Sequence, residues 1–269
     1  MTARAMVWVA LLAVAGCTSE EHVVGRGTPT STKAAGTCPE FEPATNMLTT
    51  SWTDDPANEA SAATLVQIVG DSAAASDQVL TELFAACSLI AAVGDEGLAS
   101  PSIPPTIAEV RDACAAATSA VDSLRLARPA IATIQAIPRR CEEQRAVADC
   151  LATCTDGETC QAYCESATPW LSQCPAAAVT ISFDQEVDEG LLLLWDEVAE
   201  GLSLVFAARS RLAVAKRSLA RLAFVPSDAY TLDTVCIRRL IGTITETTEG
   251  TKLSGDVVSE TFEAIQVEE

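Results

Sequence analysis

Hydrophobic and polar positions divide the chain into segments of distinct period. Between Asn58 and Val93, apolar residues at Leu65, Ile68, Val69, Val79, Leu80, Leu83, Phe84, Cys87 and Ile90 recur on an alanine-rich background, with the spacing of one helix face. This predicts one helix, or two meeting at Gly70-Asp71, ending at Gly94. The stretch GDEGLASPSIPP supplies Gly and Pro punctuation. Thr106 to Ala127 then resumes the helical period through Ile107, Val110, Cys114, Val121 and Leu124. Arg128-Pro129 closes that helix, because the residue before proline avoids the right-handed helical region. The period next drops to two: residues 132–138 (ATIQAIP) and 178–184 (AVTISFD) alternate as half-buried strands do.

Asp184 to Phe224 is the longest predicted helix. Its acids Asp184, Glu186, Asp188 and Glu189 come first and its bases Arg209, Arg211, Lys216, Arg217 and Arg221 last, an order that complements the helix dipole. Leu191 to Trp195 is apolar all round, but Asp196, Glu197 and Glu200 follow at once, so the segment cannot span a bilayer. Pro226 ends it, and Asp228 is placed to cap a helix through Leu232, Val235, Cys236, Arg239 and Leu240. Residues 243–255 (TITETTEGTKLSG) read as loop, and a last acidic helix or strand ends at Glu269. The pattern as a whole predicts a mainly α chain, a helical bundle with a small two-stranded β pair. It shows no internal repeat.

The first seventeen residues, MTARAMVWVALLAVAGC, carry Arg4, an apolar run from Ala5 to Gly16, and Cys17. The run is short of the ~20 residues that cross a bilayer, and as far as Ala15 an ordinary secretory signal fits equally well. Val14-Ala15-Gly16-Cys17 resembles the lipobox of bacterial lipoproteins, in which small residues precede an obligatory cysteine. The resemblance implies removal of residues 1–16, a thioether-linked diacylglycerol on Cys17, and an acyl chain such as palmitate on its amine. Several chains on one residue anchor stably, at about 0.8 kcal/mol per buried CH₂. No other cofactor is expected. Thr18, where the lipoprotein sorting rule would read Asp as a retention signal, favours the outer membrane, with its periplasmic or surface face left open. Residues 18–37 are rich in Thr, Ser, Gly and Ala without period and read as a flexible tether reaching about 25 Å. His22, the single histidine, falls in it and has no surroundings to orient it as a ligand or base. Residues 38–269 are then one helical domain, with a cysteine-rich insert at 139–176.

Ten cysteines remain beside Cys17: Cys38, Cys87, Cys114, Cys141, Cys150, Cys154, Cys160, Cys164, Cys174 and Cys236. An even number in an exported chain predicts five disulfides. Residues 148–166 (ADCLATCTDGETCQAYCES) contain two C-x₃-C units around Asp156-Gly157, a strong turn signal. Residues four apart share a helix face, so two short helices folding back there lay Cys154 against Cys160 and Cys150 against Cys164. Cys141 and Cys174 continue the nesting, and the two predicted strands lie outside them. The Cys87–Cys114 bond would staple the first two helices across their loop, and Cys38–Cys236 would tie the end of the tether to the C-terminal half. The insert resembles the twin C-x₃-C and C-x₉-C hairpin proteins, whose two helices are clamped by nested disulfides. That resemblance implies a disulfide-laddered helical hairpin at Cys150, Cys154, Cys160 and Cys164, and no activity.

Composition narrows the function. Against 37 Asp+Glu there are 17 Lys+Arg, a net charge of −20, and the sequence offers no basic face of the size that phosphate-backbone binding requires, so no nucleic acid partner is expected. A lone histidine leaves no His-rich zinc site or Ser-His-Asp triad. Four-thiolate zinc sites usually use C-x₂-C, which occurs nowhere, so neither a metal site nor a redox pair is expected. Asp184-x-Glu186-x-Asp188 begins like a calcium loop, but Glu189 stands where Gly is needed and Trp195 where a bidentate Glu is needed. No nucleophile-elbow, phosphate-loop, dinucleotide or zinc-protease motif occurs. With 4% aromatic residues, a stacked-ring carbohydrate platform is poorly supplied, and Trp52, Trp170 and Trp195 read as packing residues.

The layout of lipobox signal, helical hairpin, cysteine-rich insert, long helix and late cysteine resembles cysteine-rich envelope lipoproteins of Gram-negative bacteria. It implies a lipid-anchored, non-enzymatic envelope protein, structural or binding a protein partner, with no catalytic residue to name. Two other readings stay open: a carboxylate-dependent hydrolase of envelope or extracellular polymers, for which the acids always offer pairs, and a membrane-active or self-assembling protein built on the alanine-rich hairpin.

Overall fold

A computed structural model of the chain describes residues 38–39, 47, 50–94, 98, 100–127, 131–142, 148, 151–152, 161, 164, 172–222, 232 and 234–268. The architecture is mainly α. Its helices are α1 (Glu59–Ala92), α2 (Ile107–Ala127), α3 (Glu189–Arg221) and α4 (Thr234–Ile265), with strands β1 (Ala132–Ile137), β2 (Ala178–Phe183) and β3 (Val267–Glu268). By length and composition α1 is apolar enough to cross a membrane. It is instead the central element, packed against α2, α3 and α4.

The local reasons for the helices lie at their ends. Glu59 in the first turn of α1 accepts from Trp52 N (2.9 Å) and Ser51 Oγ (3.2 Å), which fastens the preceding segment to the helix. Thr106 and Glu109 form a capping box at α2: Glu109 N donates to Thr106 Oγ1 at 3.3 Å, and Thr106 N donates back to Glu109 Oε2 at 2.7 Å. The Glu109 carboxylate also accepts from Ser102 N and Oγ. These donors hold its pKa down at about 2 from 4.5, the Ser102 hydroxyl contributing most. At α3, Asp188 is the N-cap and accepts from Leu191 N at 3.0 Å.

Residues 132–137 and 178–183 pair antiparallel, with Ile134 opposite Ile181 and Gln135 opposite Thr180. Ile134 and Ala136 are buried, while Val179, Ile181 and Phe183 point toward α3, where Phe183 meets Trp195 edge-on at 6.0 Å. The sheet has a third strand: β3 pairs parallel with β1, giving the order β2-β1-β3. It exists because α4 stops at Gln266, whose φ of 56° reverses the chain. Arg125 at the end of α2 secures that corner by donating to the Ile265 carbonyl at 2.5 Å.

The last helix begins at Thr234, so Leu232 precedes it and the expected cap Asp228 lies outside the described residues. Three further segments differ from their sequence pattern. Helix α1 runs unbroken through Gly70-Asp71, because the buried Asp71 carboxylate is satisfied by Gln67 Nε2 at 3.0 Å along the same helix face. Helix α3 begins at Glu189, five residues after Asp184; the Asp184 side chain instead accepts from Ile131 N at 2.8 Å and closes the end of the strand pair. Residues 243–255 are helical throughout and form the middle of α4. Threonine disfavours helix by only a few tenths of a kcal/mol. Here Thr243, Thr245, Thr251 and Thr261 donate to the carbonyl four residues back while Thr247, Thr251, Ser254 and Thr261 are buried against the bundle. Tertiary contact therefore decides the segment.

Two large apolar cores result among the described residues, beside a small cluster of Ala136, Ala177 and Phe206. One gathers Val79, Leu83, Ile90, Val110, Val198, Leu202 and Val258, among others. The other gathers Met47, Trp52, Leu65, Val69, Cys236 and Leu240. Between them lies a layer of buried polar side chains: Asp71, Ser72 and Ser76 on α1, Ser218 on α3, and Thr247, Thr251 and Ser254 on α4. In this layer α1 and α4 approach closely, a Cβ on Gly250 falling 3.5 Å from Ser76 Oγ.

Candidate functional site

The cysteines divide into those the structure describes and those it does not. Cys87–Cys114 joins α1 to α2 with Cα atoms 4.8 Å apart, Cys141–Cys174 closes the neck of the insert at 4.1 Å, and Cys38–Cys236 ties residue 38 to α4 at 5.0 Å. Cys164 is fully buried, helical and disulfide-bonded. Cys150, Cys154 and Cys160 lie outside the described residues, so the inner bonds Cys150–Cys164 and Cys154–Cys160 do too. Cys17, His22 and Trp170 also lie outside them. Within the insert, Ala148, Leu151, Ala152 and Gln161 are helical like Cys164.

The neck is fastened to α3 from both sides. Ser210 Oγ donates to the Arg139 carbonyl at 3.0 Å, and the buried Arg211 donates Nη1 to the Ser172 carbonyl at 2.8 Å. Arg211 Nε also bonds both carboxylate oxygens of Glu82 on α1, at 3.0 and 3.1 Å. One guanidinium thus joins α1, α3 and the insert, and Glu142 bridges to Gln173 just inside the disulfide. Charge-assisted bonds of this kind are roughly twice as strong as neutral ones. The neck is thus held by a disulfide and by hydrogen bonds to α3.

The acids Asp184, Glu186 and Asp188 are exposed, and two of them serve as caps. Among the described residues no group of three or more His, Cys, Asp or Glu is placed to hold a metal ion. Trp52 and Trp195 are buried in the two cores, with Trp52 Nε1 donating to the Met47 carbonyl at 3.0 Å.

Among the described residues, an open groove runs along the seam of α3 and α4, at the level of the polar layer. One part, about 370 Å³, is lined by Lys216, Leu219, Ala220, Thr248, Thr251 and Lys252. The adjoining part, about 170 Å³, shares Lys216 and adds Arg209, Leu212, Gly255 and Ser259. Lys216 on α3 and Lys252 on α4 therefore line opposite walls. Arg209 is held over the stacked rings of Phe206 and Phe262, 5.9 and 5.4 Å from their centroids. Gly255 leaves the room that Lys216 occupies: a Cβ there would sit 2.8 Å from Nζ. Sequence reasoning assigned Lys216 to a helix dipole and Lys252 to a loop. The one signal for them in the sequence is that the chain has three lysines, Lys33, Lys216 and Lys252.

A mainly α, disulfide-stapled helical fold with a small mixed sheet is the class that these features define. Compared with protein families, curated proteins and solved structures, the chain shows no match. Its chemistry is accordingly read from its own residues.

Proposed function

We propose that this chain is an exported, lipid-anchored protein of the outer bacterial envelope that acts as a structural or partner-binding module, with the cysteine-rich insert as its rigid protrusion. The observation that carries the reading is the state of the cysteines: all seven that the structure describes are disulfide-bonded, a state that belongs to an oxidising compartment. The sequence VAGC ahead of the tether supports acylation at Cys17. The doubly fastened neck supports a mounting role, since Arg211 and Ser210 hold the insert's base without closing any described catalytic constellation.

Mass spectrometry of the unreduced protein from membranes tests the reading, together with detergent phase partition. Diacylglycerol and an acyl chain on Cys17, loss of both in C17A with release into the aqueous phase, and no free thiol are the expected results. A bare Cys17, or free thiols in the insert, would overturn it.

A further inference from the structure

We infer that the α3–α4 groove is a binding site for a phosphate group, with Lys216 and Lys252 as its two ligating cations. On a chain of net charge −20, an anion is repelled over most of the surface and accumulates only where local positive charge outweighs the field. The groove gathers positive charge: two of the three lysines in the sequence line its larger part from opposite helices. Among the described residues neither lysine has an ion-pair partner. The nearest acids along α4, Glu249 and Asp256, lie about one turn either side of Lys252 and are exposed, and neither lines the groove.

Lysine suits this chemistry because its ammonium presents three donors on a flexible stem to an oxyanion. Thr248 adds a hydroxyl group on the α4 wall beside Lys252. Gly255 lets the Lys216 ammonium lie against α4, and a Cβ there, 2.8 Å from Nζ, would shift the end of that side chain. Leu219 and Ala220 beside the lysines offer an apolar contact at the groove's surface, so the same site fits a free phosphate or the headgroup of an anionic lipid. The inference is independent of the anchor at Cys17.

Lysine acylation of the full mature chain, read by peptide mass spectrometry, tests it, with Lys33 as internal reference. Inorganic phosphate is one probe, and mixed micelles containing phosphatidylglycerol against phosphatidylcholine are the other, all at matched ionic strength in chloride. At a probe concentration about four times Kd, acylation at Lys216 and Lys252 should slow about fivefold relative to Lys33. Protection by phosphate identifies a soluble ligand, and protection by phosphatidylglycerol alone a lipid headgroup. G255A, which preserves every charge and favours the helix, should weaken protection at Lys216. K216Q/K252Q should abolish phosphate binding measured by calorimetry, whereas R111Q on the exposed face of α2 should leave it unchanged. Protection no greater than that at Lys33, or equal binding by K216Q/K252Q, would overturn the inference.

Discussion

Alanine in place of Gly201 tests how closely α1 and α3 approach. A Cβ at Gly201 would collide with Ile90 Cγ1 and stand 3.0 Å from Ile90 Cδ1 and 3.1 Å from the Ala86 carbonyl oxygen. Ile90 is fully buried among Leu83, Val198 and Leu202, so it has no free space to swing into. Overpacking of this kind costs about 1–3 kcal/mol, and contact with a backbone carbonyl places the cost in the upper half of that range. Glycine to alanine inside a helix returns about 1 kcal/mol through propensity. The net expectation for G201A is a loss of about 1–2 kcal/mol. Gly242 in α4 supplies the control, because a Cβ there meets nothing within 4 Å. G242A should gain about 0.5–1 kcal/mol. The same substitution in two helices thus has opposite signs. Urea denaturation of the oxidised protein measures both, and thermal midpoints should move by about 2–4 °C per kcal/mol. An Ile90→Ala background should relieve the penalty of G201A, giving a coupling above about 1 kcal/mol. A G201A variant as stable as wild type, with no coupling to Ile90, would refute the packing described.

The three described disulfides should follow loop length logarithmically: with separations of 27 and 198 residues, C87A/C114A should lose about 3.5 kcal/mol and C38A/C236A only about 1.5–2 kcal/mol more. Denaturant midpoints check this, and a loss proportional to length would contradict it. R211M should cost about 2–3 kcal/mol, discounted for a Glu82 side chain that is 29% exposed. It should also speed proteolysis at the neck, because Ser172 O loses its donor; unchanged proteolysis would detach Arg211 from that role. Glu109 has a folded pKa below its unfolded one, so its contribution is present above pH 4.5 and fades as pH falls toward about 2. In E109Q, amide exchange at the start of α2 should be faster at pH 6 and should lose the wild type's acceleration across that acid window. A wild-type pH profile in E109Q would sink the assignment.

Local period and cysteine spacing made much of the framework legible in the sequence. Alternation fixes the faces of β1 and β2 because side chains in a strand point to opposite sides in turn. Helical spacing located α1 and α2 because only the apolar stripe needs burial. The nested counts about Asp156-Gly157 paired Cys141 with Cys174, since a chain that folds back brings equal separations together. Other features arise from packing between elements. The threonine-rich middle of α4 has weak propensity and a loop-like composition, and it becomes helix because its buried hydroxyls face α1 and α3. Gly70-Asp71 looks like a break and is none, because Gln67 satisfies the carboxylate that burial would otherwise penalise. β3 needed the reversal at Gln266 to reach β1. The groove was illegible for the same reason: Lys216 and Lys252 belong to different helices, and only the packing of α3 on α4 makes two distant lysines one site.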